Sequence, residues 1–82
     1  MKIIVTKRDI KKGKRAKSSK CPIARAMKTA GLQKARVGMS NASWVRYGVH
    51  HEAPLPLSAR MFRHGFDEYG TGQPFAFYLD ED

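Results

Sequence analysis

Residues 7–31 read KRDIKKGKRAKSSK followed by CPIARAMKTAG, so a run of positive charge leads directly into a predicted helix. Eight of the first 14 residues in this segment are Lys or Arg. Beyond Gly13 the run is polar and has no hydrophobic period, which predicts a solvent-exposed, mobile loop over about residues 11–20. Ile10 is the only large apolar residue within the basic run, residues 7–20, and we expect it to be buried.

The predicted helix begins at Cys21-Pro22. Proline is favoured at the first helical position because its missing N–H would be unpaired there anyway. Gly31 is placed to end the helix. Helical spacing defines a buried stripe that comprises Ile23, Ala26, Met27 and Ala30. Arg25 and Lys28 fall on the opposite side, where they can continue the basic surface.

The rest of the chain predicts four strands and a second helix. The strands are assigned to residues 2–6, 35–39, 42–50 and 74–79, and the second helix to about residues 57–69. Ser40-Asn41 fits a hairpin turn, and the two prolines within residues 51–56 predict a loop. The order β-α-β-β-α-β predicts an α+β fold, a two-layer sandwich with both helices on one face of a four-stranded, mostly antiparallel sheet. A small sheet with an unpaired terminal strand is the alternative.

The C-terminal half is expected to supply most of the core, because all eight aromatic residues lie between Trp44 and Tyr78. Alternation along residues 42–50 puts Trp44 and Arg46 together on the outer face of their strand. The predicted core residues are Ile3 and Val5, then Val45, Tyr47 and Val49, then Leu57, Met61, Phe62, Gly65 or Phe66 and Tyr69, and finally Phe75, Phe77 and Leu79.

The net charge of +9 is unevenly distributed. Residues 1–36 contain 13 Lys or Arg and one acid, whereas residues 37–82 contain three Arg and six acids. The last three residues, 80–82, form an acidic tail that we expect to be solvated. A localised positive field can steer an acidic partner, so the asymmetry bears on association and not on fold.

Length and composition predict one small domain over residues 1–82. A single cysteine excludes an internal disulfide framework and fits a reducing compartment. The apolar runs are far below the roughly 18 residues of a membrane span, and the first nine residues do not resemble a signal peptide. We therefore expect a cytoplasmic protein with no membrane association.

The basic segment is the candidate binding site. Lys and Arg neutralise phosphates and release counterions, so the segment is predicted to bind DNA or RNA backbone without reading sequence. Aromatic residues beside Arg can also stack on unpaired bases. The candidate residues are Lys7, Arg8, Lys11, Lys12, Lys14, Arg15, Lys17, Lys20, Arg25, Lys28, Trp44 and Arg46. A solvated loop with no partner, an acidic protein partner, and a core position for Trp44 are the alternatives.

No catalytic or metal-binding constellation is predicted. Cys21 is the one candidate nucleophile, and its place at a helix N-terminus beside Lys20 predicts a lowered thiol pKa. No base is near it in sequence, so a structural cap or a buried small hydrophobe is the preferred interpretation. His50, His51 and His64 could join Cys21 in a zinc site only through the fold, and we predict no metal and no cofactor. Asp67 lies at the unfavourable end of its helix, which predicts a partner such as Arg.

Four short motifs are spread over most of the chain. They are Asp9-Ile10 with Gly13, Cys21-Pro22-Ile23-Ala24, the helix from Phe62 through Phe66-Asp67, and Pro74-Phe75-Ala76-Phe77-Tyr78-Leu79. In this combination the chain resembles a family of small uncharacterised proteins encoded by bacteriophages and prophages. The resemblance implies a phage origin, a host cytoplasmic location and a shared fold, and it implies no reaction, cofactor or site.

The sequence thus favours a small phage-type binding protein that is not an enzyme and engages nucleic acid through residues 7–28. The alternative is a phage-encoded inhibitor of a host protein, such as a defence or nucleic-acid enzyme, that contacts an acidic surface of its target. Phages often encode small inhibitors of this kind, so the alternative comes from the resemblance.

Overall fold

The computed structural model describes residues 1–80, so the last two residues of the predicted acidic tail lie outside the described residues. Residues 1–80 form five strands and three helices. In order these are β1 (Lys2–Val5), α1 (Lys7–Lys12), α2 (Pro22–Thr29), β2 (Gln33–Val37), β3 (Asn41–Arg46), β4 (Val49–Pro54), α3 (Leu57–Tyr69) and β5 (Phe75–Tyr78).

The strands form two antiparallel sheets. β1 pairs with β5, and β2, β3 and β4 form a three-stranded sheet in that order. The predicted α+β class is confirmed. The predicted single four-stranded sheet and its element order are wrong, because the chain contains an additional helix, α1, and an additional strand, β4. The alternative with an unpaired terminal strand is wrong too, since β1 and β5 pair with each other.

The additional strand arises because the predicted strand 42–50 folds back on itself. Tyr47 and Gly48 have φ values of 53° and 75°, and Arg46 pairs directly with Val49 across this two-residue turn. Most of the predicted 51–56 loop is therefore part of β4. Pro54 is tolerated there because it ends an edge strand.

The same turn reverses the predicted faces of β3. Trp44 is only 1% exposed and packs in the core, whereas Tyr47 is 89% exposed at the hairpin tip. Val49 is exposed as well, and Val45 is half-buried. The prediction that Val45, Tyr47 and Val49 form the core face is wrong, because alternation cannot continue through a turn.

The additional helix α1 begins with a capping box. The Thr6 hydroxyl accepts a hydrogen bond from the Asp9 backbone N–H (3.2 Å), and the Asp9 carboxylate accepts one from the Thr6 backbone N–H (3.0 Å). Thr-x-x-Asp is thus the signal for a helix start at this position. Sequence patterning missed it because six residues are too few to show a hydrophobic stripe. Ile10 packs against the core and is half-buried.

The core is centred on α2 and is supplied mainly by the N-terminal half. The largest fully buried side chains besides Trp44 include Ile3, Ile23, Met27 and Leu32. The expectation that the C-terminal half supplies most of the core is therefore wrong, and Tyr47 and Tyr69, which the pattern predicts to be buried, are exposed. The predicted α2 stripe and the inward face of β1 are confirmed.

Helix α3 has the predicted bounds, but its predicted stripe is buried only at Phe66 and half-buried at Phe62. Only Ala59 and Phe66 are fully buried, while Leu57, Met61 and Tyr69 are exposed. The predicted β5 face holds, since Phe77 and Leu79 are buried and Phe75 packs against the core. Within residues 1–80, no helix is both long and apolar enough to cross a membrane.

Candidate nucleic-acid interface

An open groove of about 410 Å³ runs along the outer side of α2. Its walls come from the end of α1, the loop before α2 and the polar face of α2. The lining residues are Lys12, Lys14, Ser19, Lys20, Arg25, Lys28 and Thr29. We call this the basic groove. It brings five positive side chains and two hydroxyl groups around one space, and none of its lining residues is acidic.

The amphipathic character of α2 creates one wall of the basic groove. Ile23 and Met27 are four residues apart and face the core, which turns Arg25 and Lys28 outward. Lys28 also ties α2 to the preceding loop, because its ammonium group donates a hydrogen bond to the Ser19 carbonyl oxygen (2.6 Å). The two sides of the groove are therefore linked directly.

Asp9 holds the opposite wall in place. Its carboxylate lies 3.6 Å from the Arg25 guanidinium, measured from Oδ1 to Nε. Asp9 is 6% exposed and is the only buried charged residue within positions 1–80. A buried carboxylate is stabilised by a partner cation and by hydrogen bonds, and Asp9 has both. The pair packs α1 against α2 and places the Arg25 guanidinium in the groove.

The loop between α1 and α2 is held by several hydrogen bonds. The backbone N–H of Lys14 donates to the Lys20 carbonyl oxygen (2.8 Å), which closes the loop on itself. The Ser18 carbonyl oxygen accepts from the Val37 N–H (2.8 Å), which attaches the loop to β2. These contacts give Lys14 and Lys20 defined backbone positions at the groove, and the expected mobility of the loop stays a prediction.

Arg15 contacts the protein itself and does not line the groove. Its guanidinium donates hydrogen bonds to the carbonyl oxygens of Asp67 (3.0 Å from Nε) and Glu68. Cations at a helix C-terminus interact favourably with the helix dipole, and α3 has no basic residue in its own last turn. The Ala16 N–H donates to the Asp67 carboxylate (2.9 Å), so the loop is attached to α3 at two residues.

Asp67 has the Arg partner that its position predicts. Arg63, one turn earlier on α3, places its Nε atom 3.7 Å from the Asp67 carboxylate. The Asp67 carboxylate thus contacts Arg63 on its own helix and Ala16 in the loop.

The structure separates the other predicted cations from the basic groove. Lys7 and Lys11 flank a second cleft, of about 420 Å³, against residues 70–74. Arg8 and Lys17 are exposed and line neither space. Of the ten Lys and Arg residues predicted between positions 7 and 28, five converge on the groove.

Trp44 cannot stack on a base, so its assignment to the binding site is wrong. Its indole is buried and stacks on the His51 ring, with centroids 5.7 Å apart. Arg46 is half-buried, and its guanidinium carbon lies 5.3 Å from the centroid of the Tyr47 ring. The exposed aromatic residue next to Arg46 is thus Tyr47, which alternation along a continuous strand had assigned to the core.

Cys21 caps α2 and is buried. Its Sγ accepts a hydrogen bond from the Ala24 N–H (3.4 Å), and the residue is 1% exposed. Burial raises the thiol pKa above its ordinary value and outweighs the lowering by the backbone N–H groups of Ala24 and Ile23. The predicted low pKa is wrong because desolvation of the thiolate dominates over the helix N-terminus. The structural interpretation of Cys21 is confirmed.

We expect the Cys21 thiol to react slowly with iodoacetamide in the folded protein at pH 8. Only the thiolate reacts with iodoacetamide. Burial raises the pKa of the Cys21 thiol, so the thiol stays protonated at pH 8 in the folded protein. Mass spectrometry should show alkylation many-fold faster in denaturant than in buffer. Equal rates in the two solvents would contradict the buried cap.

No group of three or more His, Cys, Asp or Glu side chains capable of holding a metal ion occurs in residues 1–80. His51 stacks on Trp44, and the His64 ring lies 3.4 Å from the Glu68 carboxylate on the surface of α3.

No protein-family model, curated protein or solved structure matches the chain. The function proposed below therefore rests on the geometry and charge of the basic groove.

Proposed function

We propose that the protein binds the phosphate backbone of nucleic acid through the basic groove, without reading base sequence and without catalysing a reaction. The observation that carries this proposal is the convergence of five cations, from α1, the loop and α2, on one open space. A solvated surface would spread these charges apart, whereas here Arg25 and Lys28 are held towards Lys12, Lys14 and Lys20 by internal contacts.

Counterion release is the physical basis of the proposed binding. Each phosphate neutralised on duplex DNA contributes about 0.9 to the slope of log affinity against log salt concentration. If all five groove cations engage phosphates, the slope is about −4.5, which corresponds to a roughly 500-fold loss of affinity between about 50 and 200 mM salt. Ser19 adds a hydroxyl group that can donate to a phosphate oxygen.

The test compares two variants that lose the same charge at different places. The groove variant carries Lys12→Ser, Lys14→Ser and Lys20→Ser, and the control variant carries Lys2→Ser, Arg36→Ser and Arg60→Ser. Both lower the net charge from +9 to +6 and change only exposed residues. We expect the salt slope for a labelled duplex, measured by fluorescence anisotropy, to shrink by about 2 to 3 in the groove variant and by less than about 1 in the control.

Two outcomes would contradict the proposal. Equal losses in the two variants would mean that total charge, and not the groove, determines binding. No binding of DNA or RNA at moderate salt by the unchanged protein would mean that the groove has no nucleic-acid partner.

A host protein with an acidic surface is the alternative partner, and a phage-encoded inhibitor of a host enzyme or defence protein is the corresponding function. Four of the five groove cations are lysines, whose point charges pair with carboxylates as well as with phosphates. Failure to bind nucleic acid, together with capture of one host protein by the unchanged chain and the control variant but not by the groove variant, would favour this alternative.

A further inference from the structure

The tip of the β3–β4 hairpin carries a bulky residue in an unfavourable backbone conformation. Tyr47 and Gly48 both have positive φ, the pattern of a type I′ turn, in which Asn-Gly or Gly-Gly is preferred. A positive φ is common for glycine but is an outlier for a large side chain such as tyrosine. Such outliers persist at functional sites, so the position invites a functional explanation.

The Tyr47 side chain contributes little to the packing of the fold. At 89% exposed it is the most exposed of the large aromatic residues, ahead of Tyr69 at 73% and Tyr78 at 67%. Its contact with the protein is the Arg46 guanidinium, 5.3 Å from the ring centroid. The hairpin tip thus exposes an aromatic ring that lies beside the half-buried Arg46 guanidinium, and neither the turn nor the core requires the ring.

The hairpin tip lies at the same end of the three-stranded sheet as the C-terminus of α2. The loop before α2 meets the end of β2, where the Ser18 carbonyl oxygen accepts a hydrogen bond from the Val37 N–H. Helix α2 then runs back towards the beginning of β2. The last groove residue, Thr29, is four residues before Gln33, which pairs with Val45. Since the tip follows Val45 by two residues, Tyr47 and the Thr29 end of the groove lie at the same end of the domain.

We propose that Tyr47, assisted by Arg46, stacks on an unpaired base of a single-stranded nucleic acid whose backbone lies in the basic groove. This proposal rests on the proposed function and adds that the preferred ligand is single-stranded. Bases stack on aromatic side chains irrespective of sequence because every base has a π face, and Arg adds a cation–π contribution. In a duplex the bases are already stacked and paired, so the ring gains little from binding one.

The test uses three single variants and two ligands. Tyr47→Ser removes the ring, Tyr47→Phe keeps it, and Tyr69→Ser is the matched control at another exposed tyrosine. Affinities are measured at one moderate salt concentration for a dT oligonucleotide of about 12 nucleotides and for a duplex of the same length. We expect Tyr47→Ser to weaken oligonucleotide binding by about 10-fold or more and duplex binding by less than about twofold. Tyr47→Phe and Tyr69→Ser should bind both ligands like the unchanged protein.

A thermal melt separates this role from a structural one. Because Tyr47 has positive φ, Tyr47→Gly should raise the melting temperature while weakening oligonucleotide binding. A lower melting temperature would instead indicate that the ring stabilises the hairpin and would overturn the proposal.

The outcomes also distinguish failure of stacking from failure of groove binding. If Tyr47→Ser binds the oligonucleotide normally while the groove variant does not, the stacking proposal is wrong and the groove proposal stands. Equal weakening of both ligands by Tyr47→Ser would likewise exclude base stacking. If the unchanged protein binds neither ligand, both proposals fail.

Discussion

Trp44→Ala is expected to destabilise the domain by about 3–5 kcal/mol. Trp44 is the largest fully buried side chain and is only 1% exposed. Its removal loses the transfer free energy of the indole and leaves a cavity that a small core cannot fill. A domain of 82 residues has a total stability of roughly 4–12 kcal/mol, so the loss is a large fraction of the total, and urea denaturation should show a much lower midpoint for this variant.

Trp44→Phe is the matched control for this prediction. Phenylalanine keeps an aromatic ring on His51 and removes the indole N–H, which has no hydrogen-bond partner within residues 1–80. Its cost should therefore be smaller, about 1–2 kcal/mol. A Trp44→Ala variant that unfolds within 1 kcal/mol of the unchanged protein would contradict the buried position and would restore Trp44 as a candidate for base stacking.

Gly13→Ala is expected to destabilise the domain by about 2 kcal/mol or more and to weaken binding at the groove. A Cβ atom at position 13 would lie 2.6 Å from the Cδ atom of Pro22 and 2.7 Å from the Asp9 carbonyl oxygen. The φ of Gly13 is −68°, so the cost is steric and not conformational. Relief of the clash requires α1 to move away from α2, which separates Lys12 from the cations of α2.

Gly65→Ala is the corresponding control within α3. Nothing lies within 4 Å of a Cβ atom at that position, and alanine is favoured over glycine in a helix by about 1 kcal/mol. Chemical denaturation should therefore show Gly65→Ala to be slightly more stable and Gly13→Ala clearly less stable. Normal stability of Gly13→Ala would mean that α1 does not pack closely on Pro22.

The elements marked by strong local signals could be predicted from the sequence. Pro22 and Gly31 delimit α2, Gly70 ends α3, and residue alternation identifies β1 and β5. The β3–β4 turn could not be predicted, because Tyr47-Gly48 lacks the small polar residue that normally marks a two-residue hairpin. That one turn accounts for the additional strand, the reversed faces of β3 and the errors at Trp44 and Tyr47.

Only part of the candidate site could be predicted from the sequence. Charge density is visible in a sequence, so every cation of the groove belongs to the predicted set. The internal contacts of Arg15 with α3 and of Arg25 with Asp9 depend on residues up to 53 positions apart and could not be predicted. The separation of Lys7 and Lys11 from the groove likewise follows from the tertiary arrangement of α1.

Amide chemical-shift mapping with a short DNA duplex would test the central claim most directly. If the groove binds the phosphate backbone, the largest shifts will fall on residues 12–14, 19–20 and 25–29, and they will diminish as salt is added. Largest shifts on α3 and residues 71–75, or no shifts at low salt, would contradict binding at the groove.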